Sequence, residues 1–440
     1  MISRDKAPTA QETFMQMAQA AGLRGRLLVT VGILILVRLG IYLPVPGIDR
    51  PRFSDAVSNS GGLLGIVDIF SGGGISTLGI FALGILPFIN ASIIIQLLTA
   101  AIPSLENLQK NEGEAGRRKI SQITRYVSLG WAIIQSVAFS ALFLQQFAVT
   151  PGPIFVAETA IALTAGSMFV MWASELITER GVGNGASLLI FLNIVASLPK
   201  SLRDTIAYLQ SDAQPNQQKV LGVIVLVLAF LATIVAIVFV QEGMRKIPII
   251  SARRQVGRRV LAEQRSFLPL RLNQGGVMPI IFAAAILSLP LLLANYIKNA
   301  QLATIVNTYL SPSGNGSWVY ALVYMISIIF FSYFYSSLIL NPVDVAQNLK
   351  KMGSSIPGIR PGKATSEYIE RVSNRLTFLG AIFLGLVAII PTAVERASGV
   401  PSFKGLGATS LLILVGVAID TARQIQTYVI SQRYEGMVKQ

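Results

Sequence analysis

Ten runs of mostly apolar residues recur along the 440-residue chain, and short polar segments separate them. A helix needs about 20 such residues to cross the hydrocarbon core of a bilayer. Residues 184–199 and 376–391 are shorter, and we expect neighbouring helices to surround them. The pattern predicts an all-α polytopic membrane protein with ten transmembrane helices at residues 26–43, 77–102, 124–147, 153–177, 184–199, 220–241, 276–296, 318–340, 376–391 and 406–428.

A break precedes the second run. Residues 61–74 (GGLLGIVDIFSGGG) are apolar but only half as long as a span, and residues 77–102 that follow them are long enough for a whole one. This arrangement predicts an interrupted helix, with glycines at its hinge. Interrupted backbone is tolerated in a membrane where it is buried in protein or lines a cavity. We therefore expect the working site beside this break.

The ten runs divide into two sets of five, and an odd number per set inverts the second half relative to the first. A short repeat supports the division, because GILPFI at 84–89 and GVMPII at 276–281 occupy the second run of each half. The predicted organisation has five parts: an N-terminal segment, a first half that includes the half-length segment, an external connection, a second half with two cytoplasmic loops, and a tail. Their residues are 1–25, 26–200 (half-length segment 61–74), 201–219, 220–428 (loops 242–274 and 341–374) and 429–440.

The amino-acid composition excludes several classes of function. The chain is 52% hydrophobic and 13% charged, with a mean hydropathy of +0.61, which excludes the soluble enzyme classes. It has no cysteine and no histidine, so thiol nucleophiles, Ser-His-Asp triads and histidine metal sites are excluded. The segment PGKA at 361–364 lacks the hydroxyl residue of a phosphate-binding loop. We expect no catalytic residue, no cofactor and no metal.

The distribution of cations predicts the orientation. Loops on one side of the ten runs hold 27 lysines and arginines, those on the other side hold 8, and Arg38 lies inside the first run. The richer side is cytoplasmic by the positive-inside rule, and both termini lie there.

Two cytoplasmic loops carry more charge than orientation requires. In residues 242–274, the alternating apolar pattern at the start favours a β-strand and Gly257 favours a turn, so we expect a projecting hairpin. Residues 341–374 contain the segment PGIRPG, whose prolines and glycines predict a rigid turn. Such basic projections suit phosphate-rich RNA or an acidic protein surface better than lipid alone. The candidate docking residues are Arg245, Lys246, Arg253, Arg254, Arg258, Arg259 and Arg360.

Two other functions share part of this pattern. A secondary transporter also has inverted repeats and broken helices, but it usually places charges near the membrane midplane. Here the interiors carry mainly amides, which we expect to form interhelical hydrogen bonds, and Asn90 is a candidate polar latch; the amides are Asn90, Gln96, Gln135 and Asn193. An intramembrane aspartyl enzyme needs two buried aspartates, whereas Asp420 stands alone and is expected to pair with Arg423.

Several segments together resemble the SecY family, the channel subunit of the Sec protein translocon, in its bacterial or plastid form. They include GEAGRRKISQITRYVSLGWAI at 113–133, ITERGVGNGASLLIF at 177–191, RRQVGRRV at 253–260, NPVDVAQNLKK at 341–351, PGIRPG at 357–362 and GATSLLI at 407–413. The resemblance covers essentially the whole chain. One departure is Pro248, which removes an amide donor from the predicted hairpin.

The resemblance implies an hourglass pore closed by an aliphatic ring, a plug beneath the ring, and a lateral gate that opens to lipid. The ring positions are Ile85, Ile89, Ile190, Ile281 and Ile413. The plug positions are Leu63, Leu64, Ile66, Val67, Ile69 and Phe70, with the hinge at Gly72, Gly73 and Gly74. The gate positions are Pro87, Asn90, Pro279 and Leu289.

The implied function is a passive channel that translocates unfolded secretory polypeptides and inserts transmembrane segments laterally into lipid. The partners implied are the SecE and SecG subunits, the SecA ATPase, the ribosome through its large-subunit RNA and exit-site proteins, signal peptides, nascent polypeptide and membrane lipid. The implied location is the plasma (inner) membrane, and also the thylakoid membrane.

Overall fold

The computed structural model is mainly helical, and the helices follow the apolar pattern. It describes residues 21–49, 52–53, 74, 77–110, 112–210, 216–251, 255–256, 259–260, 265–296, 300–310, 317–398 and 408–438. Within this part of the chain, each of the ten predicted runs overlaps a helix. Among the described residues, six helices are long and apolar enough to cross a membrane, or seven if the bent pair Leu86–Ala101 and Pro103–Gln109 counts as one span.

The N-terminal helices are α1 (Ala21–Gly40), α2 (Leu86–Ala101), α3 (Pro103–Lys110), α4 (Gly113–Phe139), α5 (Pro153–Arg180) and α6 (Gly185–Gln210). One π-helical turn, Ser140–Leu144, and one 3-10 turn, Gln145–Phe147, extend α4.

The later elements are α7 (Asn216–Glu242), β1 (Met244–Ser251), β2 (Gln255–Val256), β3 (Arg259–Val260), β4 (Arg265–Arg271), α8 (Met278–Tyr296), α9 (Ala300–Tyr309), α10 (Ser317–Ile339), α11 (Pro342–Lys351), β5 (Ser354–Ser355), α12 (Lys363–Ser398) and α13 (Ala408–Val438).

The second run differs from its prediction as one complete helix. Residues 77–85 form turns, and α2 begins only at Leu86, with Pro87 in its first turn. Proline suits that position because its missing N–H has no partner in a first helical turn. At the other end, the chain bends by 105° between α2 and the helical segment Pro103–Gln109. Apolar composition predicts that a segment lies in the membrane, but it does not show which of its residues form turns and which form a helix.

The fifth and ninth helices are longer than their apolar runs. Helix α6 has 26 residues and continues through Pro199 to Gln210, past the predicted boundary at 200, and α12 has 36 residues. The polar residues at the ends of α6 and α12 are also helical, although they lie outside the apolar runs. In the most apolar 18-residue stretch of α12, 50% is buried, whereas 22% of the corresponding stretch of α7 is buried. This difference supports the expectation that other helices surround the ninth run.

The chain forms two compact units. The first comprises residues 1–210, 401–406 and 417–440, and the second comprises residues 211–400 and 407–416. In the first unit, α4 packs against both α2 and α5, and the Nε of Arg125 lies 2.8 Å from a carboxylate oxygen of Glu175. Arg26 donates a 2.7 Å hydrogen bond to the hydroxyl of Tyr428, which fixes α13 to α1.

In the second unit, α12 is the central helix, since it packs against α7, α10 and α11. Helix α8 packs on α10, where the buried ring of Phe282 meets Phe331 and Tyr335 edge to face. Aromatic pairs in this geometry stabilise packing beyond the area that they bury.

Candidate functional site

The repeated hexapeptide adopts the same backbone structure in both units. Gly84 and Gly276 have φ angles of +52° and +60°, and α2 and α8 each begin two residues later. The first hydrogen bonds also match in register. The N–H of Ile89 donates to Ile85, and that of Ile281 donates to Val277, each four residues back and one residue after the glycine. The sequence repeat is therefore a repeated helix start.

The five ring isoleucines lie on helices at or next to these starts and on two others. Ile85 is the residue that precedes α2, and Ile89 lies one turn into the helix. Ile281 lies in the first turn of α8, and Ile190 and Ile413 lie on α6 and α13. Ile85, Ile190 and Ile413 are buried, whereas Ile89 and Ile281 are partly exposed.

The plug lies outside the described residues, together with Gly72 and Gly73 of its hinge. Gly74 is described and buried, and its carbonyl accepts hydrogen bonds from the N–H of Gly79 at 3.0 Å and from the hydroxyl of Thr77 at 3.4 Å. The C-terminal end of the hinge is therefore fixed to the turns that lead into α2.

The gate residues fall into two pairs. Pro87 and Asn90 lie in the first two turns of α2, and Asn90 is partly exposed. Pro279 is buried in the first turn of α8, and Leu289 lies farther along that helix.

One expectation for a polar side chain inside the spans is wrong, and another stays untested. The side-chain oxygen of Gln135 is buried and accepts no hydrogen bond from the described residues, so the interhelical bond expected there is missing at this atom. Asp420 is exposed, and its expected pairing with Arg423 stays a prediction. Three-residue spacing on a helix allows such a pair but does not require it.

The predicted hairpin is confirmed. Strands β1 and β4 pair antiparallel from Met244 opposite Arg271 to Ile250 opposite Arg265, and β2 pairs with β3 farther out. A third strand, β5, comes from the second basic loop and pairs with the end of β1, which gives the order β4-β1-β5. The described residues within 244–271 and residues 342–376 therefore form one folded element, here called the basic platform.

Pro248 does not interrupt the β1–β4 ladder. The N–H of Leu272 donates to the carbonyl of Gly243, so these opposed residues form a hydrogen-bonded pair. Such pairs alternate along an antiparallel ladder, which makes Pro248 opposite Phe267 a non-hydrogen-bonded pair. Pro269, opposite Lys246, falls in the same class. Neither proline nitrogen faces the partner strand, so no ladder bond is lost.

A hydrophobic core joins the parts of the basic platform. It is formed by the buried residues Ile247, Ile249, Leu270, Leu349, Ile356, Ile369, Val372 and Leu376. These side chains come from both loops and from the start of α12. Sequence reasoning treated the loops separately and missed this shared core, although alternate apolar residues in β1 and the apolar positions of α11 were visible signals.

The described docking cations lie on the surface of the basic platform. Arg245, Lys246 and Arg360 are exposed, and the ammonium of Lys246 lies 5.0 Å from the centre of the Phe267 ring. Within the described residues, Arg360 has no salt-bridge partner, and the hydroxyl of Thr365 donates to its backbone carbonyl. Arg253, Arg254 and Arg258 lie outside the described residues, and Arg259 is described only as part of strand β3.

The family model SecY matches residues 79–422. The protein translocase subunit SecY of Synechococcus elongatus is 69% identical over 442 residues, and the similarity covers all of both chains. The subunit of the same name from Synechocystis is 65% identical over 447 residues, again with both chains fully covered.

Solved structures share the fold. A SecY structure described for a plug domain that stabilises the closed channel superposes with a TM-score of 0.64, at 19% identity over 92% of each chain. Sec61 in the canine ribosome-channel complex superposes with a TM-score of 0.59, also at 19% identity over 92% of each chain. The ten-helix membrane fold predicted from the apolar pattern is thereby confirmed.

Proposed function

The chain belongs to the SecY family, and from this premise we propose that it is a gated channel that translocates unfolded polypeptides across a membrane and releases apolar segments sideways into lipid. The observation that carries the proposal is the match along the whole chain to subunits named protein translocase. Membership also favours the channel over a secondary transporter. Energy is then supplied by partners, and the chain itself provides the path.

The ring isoleucines provide the constriction in this proposal. A narrow apolar waist dewets, which blocks ions, and it offers no polar group to which a passing side chain would bind. The observation in favour is that three of the five isoleucines lie at the two repeated helix starts. Fixed starts of this kind hold the side chains of the residues that follow them in constant positions within each unit.

Residues 63–70 are the removable plug in this proposal, and residues 72–74 are its hinge. Sequence supports this assignment, since a half-length apolar segment ends in three glycines. Because the carbonyl of Gly74 is held by Gly79, movement would occur on the N-terminal side of Gly74.

The lateral gate is assigned to the first turns of α2 and α8 and to the body of α8. Pro87 and Pro279 set where the two helices begin, and Asn90 is a polar latch whose hydrogen bond would be modest, about 0.6 to 2 kcal/mol. A weak latch suits a seam that must open for an apolar segment and then close.

The basic platform is the docking surface for the ribosome and for the SecA motor. Its exposed cations suit phosphate-rich RNA and acidic protein surfaces. Sheet pairing and the shared core hold its described residues together, so that both partners would meet a folded surface at Arg245, Lys246 and Arg360. SecE and SecG complete the complex in the plasma membrane and in the thylakoid membrane, with both termini cytoplasmic.

Charge reversal on the basic platform tests the docking role. We expect Arg258→Glu, Arg259→Glu and Arg360→Glu together to reduce SecA-driven translocation of a secretory precursor into proteoliposomes by at least tenfold, because several contacts change sign at once. Protease protection of the precursor is the measurement.

The matched control reverses three cations on the other predicted side, Arg52, Arg203 and Lys219, and thus changes the net charge equally. We expect this control to translocate at close to the unmodified rate. Equal activity of the two triple variants would contradict the docking role.

A further inference from the structure

The two repeated helix starts share a backbone acceptor that lies outside the helical ladder. The first acceptor of α2 is the carbonyl of Ile85, and the first acceptor of α8 is that of Val277. The carbonyl of the preceding glycine, Gly84 or Gly276, therefore receives no bond from the helix that follows. A carbonyl without a donor is costly where water is largely excluded, so we expect a partner from elsewhere for each one. Gly84 is buried, and Gly276 is partly exposed.

In each unit a buried polar side chain is that partner. The hydroxyl of Ser167, on α5, donates to the carbonyl of Gly84 at 3.0 Å. The side-chain amide of Asn273, just before α8, donates to the carbonyl of Gly276 at 2.7 Å. Ser167 and Asn273 are 2% and 8% exposed, so water does not substitute easily for either donor. The two side chains are unrelated in sequence position, yet they hold equivalent atoms.

The surroundings hold both donors in place. Beside Ser167, Gly166 lies so close to the carbonyl oxygen of Ile80 that a Cβ at 166 would overlap it. Beside Asn273, the side chain of Gln274 donates to Ser373 at 3.2 Å and accepts from Ser336 at 2.9 Å. Thr377 in turn donates to Ser336 at 2.9 Å. Each helix start is therefore tied to neighbouring helices of its own unit.

We propose that Ser167 and Asn273 are equivalent positioning residues that hold the two helix starts, and with them Ile85, Ile89 and Ile281, in the arrangement that seals the channel. This inference rests on the proposed function. Without either bond, the glycine turn loses its fixed carbonyl and the helix start moves more freely. The ring isoleucines next to it then occupy the sealed arrangement for a smaller fraction of the time.

The test measures ion leak through the assembled translocon in proteoliposomes that contain no precursor. We expect Ser167→Ala and Asn273→Ala each to raise chloride efflux on the order of tenfold, because loss of the hydrogen bond between a buried donor and the glycine carbonyl shifts the equilibrium by about that factor. Ser167→Thr keeps the hydroxyl and should return efflux toward the unmodified level.

The matched control is Ser201→Ala. Ser201 is also a buried helical serine, but its hydroxyl bonds to Ser197 one turn away in its own helix. We expect no change in efflux for this control, because the carbonyl of Ser197 keeps its helical hydrogen-bond donor when the hydroxyl is removed. Efflux that is equal in Ser167→Ala, Asn273→Ala and Ser201→Ala would overturn the inference.

Failure of the proposed function gives a different result. If the unmodified complex does not translocate a precursor, the proposed channel function is wrong, whatever efflux the variants show. If the unmodified complex translocates the precursor and the efflux of Ser167→Ala and Asn273→Ala is unchanged, only the positioning role is wrong. If Ser167→Ala fails to assemble, the comparison of Ser167→Thr and Asn273→Ala with the unmodified chain decides.

Discussion

At the residue scale, glycine is required at two positions for different physical reasons. Gly276 has a φ angle of +60°, and a Cβ built there would have no atom within 4 Å. Its requirement is therefore conformational. Gly79 packs against the carbonyl group of Ile41, and a Cβ there would overlap the carbonyl oxygen. Its requirement is steric, because backbone atoms have to move to make room.

Alanine at these two glycines should separate the two costs. We expect Gly276→Ala to cost about 1 kcal/mol, the strain of a left-handed backbone for an L-residue. Gly79→Ala should cost more, because the turn that carries residues 77–85 has to shift away from Ile41. Thermal unfolding of the purified complex in detergent measures both, and a smaller loss for Gly79→Ala would contradict the account.

At the scale of elements, the hairpin was predictable from the sequence, but its pairing with β5 and its shared hydrophobic core were not. Alternate apolar residues and a glycine predict strands, and the structure places both prolines where no ladder bond is needed. The pairing of β1 with β5 joins residues about 100 positions apart in the chain. Local patterns carry no information on such pairings, and for that reason the shared core of the basic platform was missed.

The core of the basic platform should matter more than its surface. Ile247 and Ile369 are 1% and 0% exposed, and replacing either by alanine should destabilise the platform by about 2 to 5 kcal/mol. Faster hydrogen exchange in β1 and β4 is the measurement. Phe267→Ala is the control, because this ring is 53% exposed and contacts Lys246. Equal exchange rates in the core and control variants would show that the two loops do not form one element.

At the scale of the whole molecule, the apolar runs predicted ten helices, and the lengths of the helices depend on more than hydropathy. Helix α2 begins late because Gly84 turns the chain and Pro87 starts the helix, whereas α6 and α12 continue into polar sequence. Which isoleucines form the ring followed from family resemblance and not from the pattern, since an isoleucine that faces lipid looks the same in sequence. The ring, plug and gate assignments stay predictions.

The most direct measurement asks whether a polypeptide in transit touches the ring. The chain has no cysteine, so Ile85→Cys and Ile281→Cys each introduce a single thiol, as does Leu228→Cys on the exposed face of α7. A precursor with one cysteine is arrested during translocation, and disulfide formation is measured. We expect crosslinks from residues 85 and 281 and none from residue 228. Translocation without crosslinks to either ring position, or with equal crosslinking at residue 228, would contradict the path proposed for the polypeptide.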